Sequence, residues 1–143
     1  MKYFYVEPEV AGGIADRTVM DSDAHPPEVT RLHYEFDGWL GDAIVESFPV
    51  FIVTQSAKEE LIRIGATGAV FDEVEVTVSG EYTELYPDQD LPPFVWMKTV
   101  GKAGKDDIAA VADGRLVLSR RAIDTFKKVG FSNADVEPYD GEP

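Results

Sequence analysis

The chain is expected to fold as a single α+β domain, with a mostly antiparallel sheet and two short helices from an internally repeated strand–helix unit. Three observations predict this. The length of 143 residues suits one domain with a core of its own. Strand-type segments recur between turn residues. A pattern of strand, Ser/Thr cap, short amphipathic helix, glycine stop and exit strand occurs twice, at an ungapped offset of 65 residues.

The elements follow in chain order. Residues 2–7 are aromatic and β-branched, as in an opening strand. Residues 8–27 are rich in Gly, Asp and Pro and predict a long flexible loop. Residues 30–36 predict a strand ended by the Asp37-Gly38 turn, and residues 42–48 a short helix capped by Asp42 and stopped by Pro49. Phe51-Ile52-Val53 is an apolar run of the kind buried on both faces.

Thr54 is the next expected cap. Ala57, Leu61 and Ile64 then share one helical face, Glu59 and Arg63 pair at i,i+4, and Gly65 stops the helix. Val74, Val76 and Val78 alternate with polar residues, and residues 81–86 continue as a hairpin partner. Residues 94–100 give another strand, and residues 101–107 a polar turn.

Leu116-Val117-Leu118-Ser119 then matches Phe51-Ile52-Val53-Thr54. Ala122, Phe126, Val129 and Gly130 match Ala57, Leu61, Ile64 and Gly65, which sets the repeat-like units at about 50–74 and 115–139.

Composition narrows the function classes. The chain is 44% hydrophobic and 28% charged, with eight Phe, six Tyr and two Trp, which argues against disorder. It contains no cysteine, so disulfides, cysteine metal sites and thiol catalysis are excluded. The first eight residues carry a charge and a proline too early for a signal peptide, and no apolar run approaches ~20 residues. A cytoplasmic location is the expectation.

Net charge is −14, which disfavours nucleic-acid phosphates and anionic lipids as partners and favours a basic protein. The distribution is uneven. Between Leu32 and Trp96 the only bases are Lys58 and Arg63, against 13 acids, while eight of the 13 bases lie between Lys98 and Lys128.

Recognisable catalytic chemistry is missing. His25 and His33 are the only histidines, and neither stands in a zinc-protease pattern. His33, among apolar neighbours, reads as a structural strand histidine. Asp21-Ser22-Asp23-Ala24-His25-Pro26 begins like a calcium loop but has proline where glycine is required and Leu32 where the bidentate Glu belongs. Residues 101–106 lack phosphate-loop spacing, and no G-x-S-x-G elbow is present. Paired carboxylates carry no specificity among 27 acids. The expectation is a non-enzyme with no cofactor and no metal.

Two acidic–aromatic patches are the candidate partner-binding residues. One is Tyr34, Glu35, Asp37, Trp39 and Asp42; the other is Asp72, Glu73, Glu75, Glu81, Tyr82, Glu84, Tyr86, Asp88 and Asp90. The competing readings are core packing for Trp39 and a solvated sheet face for the second patch. Arg120, Arg121, Lys127 and Lys128 read as the polar outer face of the last helix, or as a second contact face.

One further pattern spans nearly the whole chain. It comprises residues 1–13, Leu32-His33-Tyr34-Glu35-Phe36-Asp37-Gly38-Trp39-Leu40-Gly41-Asp42, residues 46–54, Leu91-Pro92-Pro93-Phe94-Val95-Trp96, Asp106-Asp107 and residues 116–119. It resembles the small immunity proteins encoded beside bacterial polymorphic toxins, including contact-dependent and Rhs-type toxins. The resemblance implies a cytoplasmic inhibitor that covers a cognate toxin domain and has no catalytic residues. A basic, nucleic-acid-acting toxin would suit the charge. The alternatives are a non-catalytic adaptor or chaperone for a secreted effector, and a small carboxylate-dependent enzyme.

Overall fold

The computed structural model describes residues 2–140. In chain order the elements are β1 (Tyr3–Glu7), β2 (Gly12–Ile14), β3 (Val19–Asp21), β4 (Glu28–Arg31), β5 (His33–Phe36), β6 (Ile44–Ser47), β7 (Val50–Thr54) and α1 (Gln55–Arg63). Then follow β8 (Ala69–Asp72), β9 (Glu75–Val78), α2 (Gly80–Leu85), β10 (Phe94–Thr99), β11 (Ile108–Ala110), β12 (Leu116–Ser119), α3 (Arg120–Val129) and β13 (Asp135–Pro138). This is an α+β domain in which antiparallel pairing dominates. The strands form sheets in the orders β6-β7-β10-β8, β11-β12-β1-β13 and β2-β5-β9, plus the hairpin β3-β4; β5 and β9 form the one parallel pair among named strands.

The repeated unit is present in three dimensions. Thr54 Oγ1 accepts from the Ala57 amide at 3.1 Å, and Ser119 Oγ accepts from the Ala122 amide at 3.2 Å, so both helices start on the same cap. Gly65 and Gly130, at φ +69° and +132°, end them with backbone that a side chain would strain. The strand pairings agree as well. β10 lies between β7 and β8 with Phe94 opposite Thr54 and Trp96 opposite Asp72. β1 lies between β12 and β13 with Tyr3 opposite Ser119 and Tyr5 opposite Glu137. The N-terminal strand therefore does for the second half what β10 does for the first.

The halves hold each other reciprocally. Asp42, two residues before β6, accepts from the amides of Ser132 and Asn133 beyond α3, each at 2.9 Å. Asp107, one residue before β11, accepts from the amide of Thr67 beyond α1 at 2.9 Å. Thr67 and Ser132 occupy the same place in the two units. Such i-to-j and j-to-i contacts characterise an isologous interface. Asp107 is further held by Ser119 Oγ (2.7 Å) and by Arg121 (2.6 and 2.8 Å). These charged hydrogen bonds keep its carboxyl well below the usual carboxylate range.

The four-stranded sheet containing β7 divides the core. Phe51 and Val53 of β7 join α1, α3, β1, β11 and β12 in one apolar cluster. Val50 and Ile52 join β5, Tyr82 of α2, Phe94 and Trp96 in the other. This explains why every residue of β7 is buried, as its apolar run predicts.

Several expectations are corrected. Residues 42–48 form no helix: β-branched Ile44 and Val45 pair with β7, and Asp42 caps the distant 132–133 turn instead of its own segment. Residues 81–86 are no strand. Ser79 Oγ accepts from the Tyr82 amide at 3.1 Å and starts α2, a helix in place of the expected hairpin partner. The 8–27 stretch holds β2 and β3, and residues 28–36 divide into β4 and β5 at Leu32. Arg63 pairs with Glu60, while Glu59 accepts from Gln55.

Replacing Asp107 by alanine should cost about 2–3 kcal/mol, the scale for charged hydrogen bonds lost from a buried site. Asp42→Ala should cost about as much. Urea melts followed by tryptophan fluorescence are expected to stay single transitions, because both halves share one core; two separable transitions would contradict the reciprocal tether.

Candidate functional site: an acidic and apolar surface on α2

The fold joins two segments that are far apart in sequence. The ring of Tyr86, just beyond α2, lies so close to Gly38 that a Cβ there would sit 3.4 Å from it. Gln89 Nε2 donates to Trp39 O at 3.1 Å, and Tyr82 OH donates to Gln89 O at 3.3 Å. Trp39 packs edge-on against Phe94 at 5.8 Å, and its Nε1 donates to Asp42 O at 2.9 Å. Behind this loop, the buried carboxylate of Glu9 accepts from the amides of Leu40 (2.7 Å) and Asp42 (3.4 Å). Burial nonetheless raises its pKa.

The resulting surface is both apolar and negative. Leu40 is 71% exposed, Leu85 59% and Tyr86 42%. The same two segments carry the exposed acids Asp37, Glu81, Glu84, Asp88 and Asp90. Among the described residues none of these five is in an ion pair. Exposed leucines beside a tyrosine and rimmed by charge are the usual composition of a protein-binding patch.

The fold sorts the candidate residues. Asp37, Glu81, Glu84, Tyr86, Asp88 and Asp90 come together on this surface, with Trp39 half-buried beneath it. Tyr34, Asp42 and Tyr82 are corrected: at 0%, 1% and 3% exposure they cannot meet a partner. Tyr34 OH donates to Glu46 O and accepts from the Ala11 amide, and burial raises its pKa so the phenol stays protonated. Tyr82 is the core anchor of α2.

Asp72, Glu73 and Glu75 line a separate groove, where Lys98 holds Asp72 at 2.7 Å and Arg17 holds Glu75 at 2.6 Å. Glu35 is half-buried on β5. His33 is buried, accepting from the Arg17 amide at Nδ1, which leaves Nε2 to donate to Thr77 Oγ1 at 2.7 Å. Sequence reasoning passed over Leu40 and Leu85. Ser79 as a cap, with Leu85 and Tyr86 three and four residues after Tyr82, was the available signal for a helix.

Glu46 is a second feature unseen in the sequence. It lines a pocket of about 300 Å³ with Glu7, Asp113 and Arg115. Burial, with Glu7 nearby, pushes its carboxyl up to about 7. Among the described residues, no group of three or more His, Asp or Glu side chains is placed to hold a metal, and no helix is long and apolar enough to cross a membrane.

No protein-family model matches the chain, and no curated protein matches it.

Glu46 sets a pH dependence. The folded state binds its proton more tightly than the unfolded chain does, so the stabilisation is complete below the ordinary value of 4.5 and is lost as pH rises through about 7. Glu46→Gln should therefore melt roughly 3–6 °C above the parent at pH 8 and level with it at pH 4. An equal difference at both pH values would mean that burial of Glu46 does not tune stability.

Proposed function

We propose that this protein is a cytoplasmic immunity protein that binds and neutralises a cognate, basic antibacterial toxin domain, without catalysis of its own. The observation that carries the reading is the α2 surface, where Leu40, Leu85 and Tyr86 supply anchors and five unpaired acids supply a negative rim. The net charge of −14 and the resemblance to polymorphic-toxin immunity proteins support it. Rim acids steer a basic partner and raise its association rate; desolvated apolar anchors set how long it stays. Rapid capture suits an inhibitor that must act before its toxin does.

The test co-expresses this chain with the neighbouring reading frame, which the reading requires to encode a toxic domain. Co-expression should restore growth, and the two should form a tight 1:1 complex. Reversing Glu81, Glu84 and Asp88 to lysine should slow association tenfold or more at low salt. Leu85→Ser should mainly speed dissociation. Unchanged rates in both variants would remove the α2 surface from the reading. A bound toxin that keeps full activity would favour an adaptor or chaperone instead.

Glu46 favours one second reading, a small carboxylate-dependent hydrolase, because a proton held near neutral pH in a pocket suits a general acid. Turnover of chromogenic glycosides by the parent and not by Glu46→Gln would establish it. No turnover across such a panel counts against it.

A further inference from the structure

The internal duplication exposes a second binding surface. In the second half, β13 runs on beside β1 beyond Pro138, and the Tyr139 amide donates to Tyr3 O at 2.9 Å. The residue matching Tyr139 is Val74, and the residue matching Tyr3 is Phe94. Here the halves differ. After Asp72, opposite Trp96, the chain turns away from β10, and the Glu75 amide donates to Leu32 O at the start of β9's pairing with β5. The start of β10 is thus flanked by β7 on one side only.

Peptide groups along a strand alternate in direction. Pro93 O accepts from Gln55 N on the β7 side at 2.9 Å, so the Phe94 main chain points the other way. It points into a groove of about 570 Å³. Leu32, Val74, Phe94, Val95 and Trp96 make its apolar lining, and its charged lining is Asp72, Glu73 and Glu75 against Arg31, with Lys98 paired to Asp72 and Arg17 to Glu75. Lys98 Nζ lies 4.5 Å from the centre of the Trp96 ring and 2.7 Å from Asp72, an aromatic and carboxylate seat already holding a cation. Its ion pairs are solvent-exposed and exchange at little cost, and Glu73 is in none of them.

We propose that this groove takes an extended, lysine- or arginine-bearing segment of a partner protein. The segment adds beside β10, with its main chain bonded to Phe94 and its cations against Glu73 and the Trp96–Asp72 seat. The mode is strand addition at an open sheet edge, and the twin half shows the place occupied by the chain's own extended segment. It goes beyond the α2 surface and stands whether or not that surface docks a toxin.

The probe is an acetylated, amidated hexapeptide alternating Lys and Val, titrated into the full chain and followed by backbone amide shifts. Saturable shifts at Phe94, Glu73 and Trp96 are expected, with slowed exchange of the Phe94 amide. Glu73→Lys should weaken binding fivefold or more, and Leu85→Ser should leave it unchanged. A control hexapeptide alternating Glu and Val, capped in the same way, should not bind. No shift at Phe94, equal binding of both peptides, or indifference to Glu73→Lys would overturn the proposal. Loss of toxin binding on α2 mutation with the peptide still bound would separate the two surfaces.

Discussion

The reciprocal tether between Asp42 and Asp107 is the constraint on which the rest of the molecule depends. Each aspartate leaves one half and satisfies backbone amides in the turn that follows the other half's helix. Both are almost fully buried, at 1% and 4% exposure. A carboxylate removed from water that far needs donors; Asp42 finds its side-chain donors only in the other half, and Asp107 adds the Thr67 amide of the other half to Ser119 and Arg121 of its own. The tether therefore fixes how α1 and α3 pack together, and with them the sheet that divides the core. One face of that sheet is consumed by the twin half. The other is free to carry an additional layer.

That layer is where the duplication ends. Residues 8–43 and 73–93 supply β2, β5, β9 and α2, and the second half has no matching insertions. Most acids between Leu32 and Trp96 lie on it or beside it. The arginines of the second half are engaged at home: Arg115 stacks on Tyr5, Arg120 on Phe4, and Arg121 grips Asp107. The charge asymmetry in the sequence is thus an asymmetry between a repeated scaffold and an unrepeated outer layer. Features added to a duplicated scaffold, unlike the scaffold itself, are free to differ between halves and to carry recognition.

The scaffold was legible because its signals are local. Thr54 and Ser119 caps, apolar helix faces and glycine stops act within a few residues, and they recur at one spacing. What was illegible depends on partners distant in sequence. Asp42 looks like a helix cap until Ser132, 90 residues away, claims its side chain. Ile44 and Val45 suit a helix face or a strand equally until β7 pairs with them. Tyr34 and Tyr82 look like surface anchors beside acids, but α2 and β5 turn both rings inward. That Tyr3 of the first strand takes the place of Phe94 could not be read from an ungapped offset, since β1 precedes its own repeat in the chain.

Magnitudes decide which residues of the α2 surface matter for what. An exposed acid facing an exposed base contributes 0–1 kcal/mol or so, and screening reduces it over about 8 Å at physiological salt. Burying a leucine side chain contributes about 1.5–3 kcal/mol. Five rim acids would therefore shape the approach of a partner more than its residence, whereas Leu40, Leu85 and Tyr86 would supply most of the energy that holds it. The unpaired state of the acids follows the same logic: a carboxylate already neutralised by a home cation, as Asp72 and Glu75 are, has less field to project. Glu81, Glu84 and Asp88 keep theirs because, among the described residues, no lysine or arginine pairs with them as Lys98 does with Asp72 and Arg17 with Glu75.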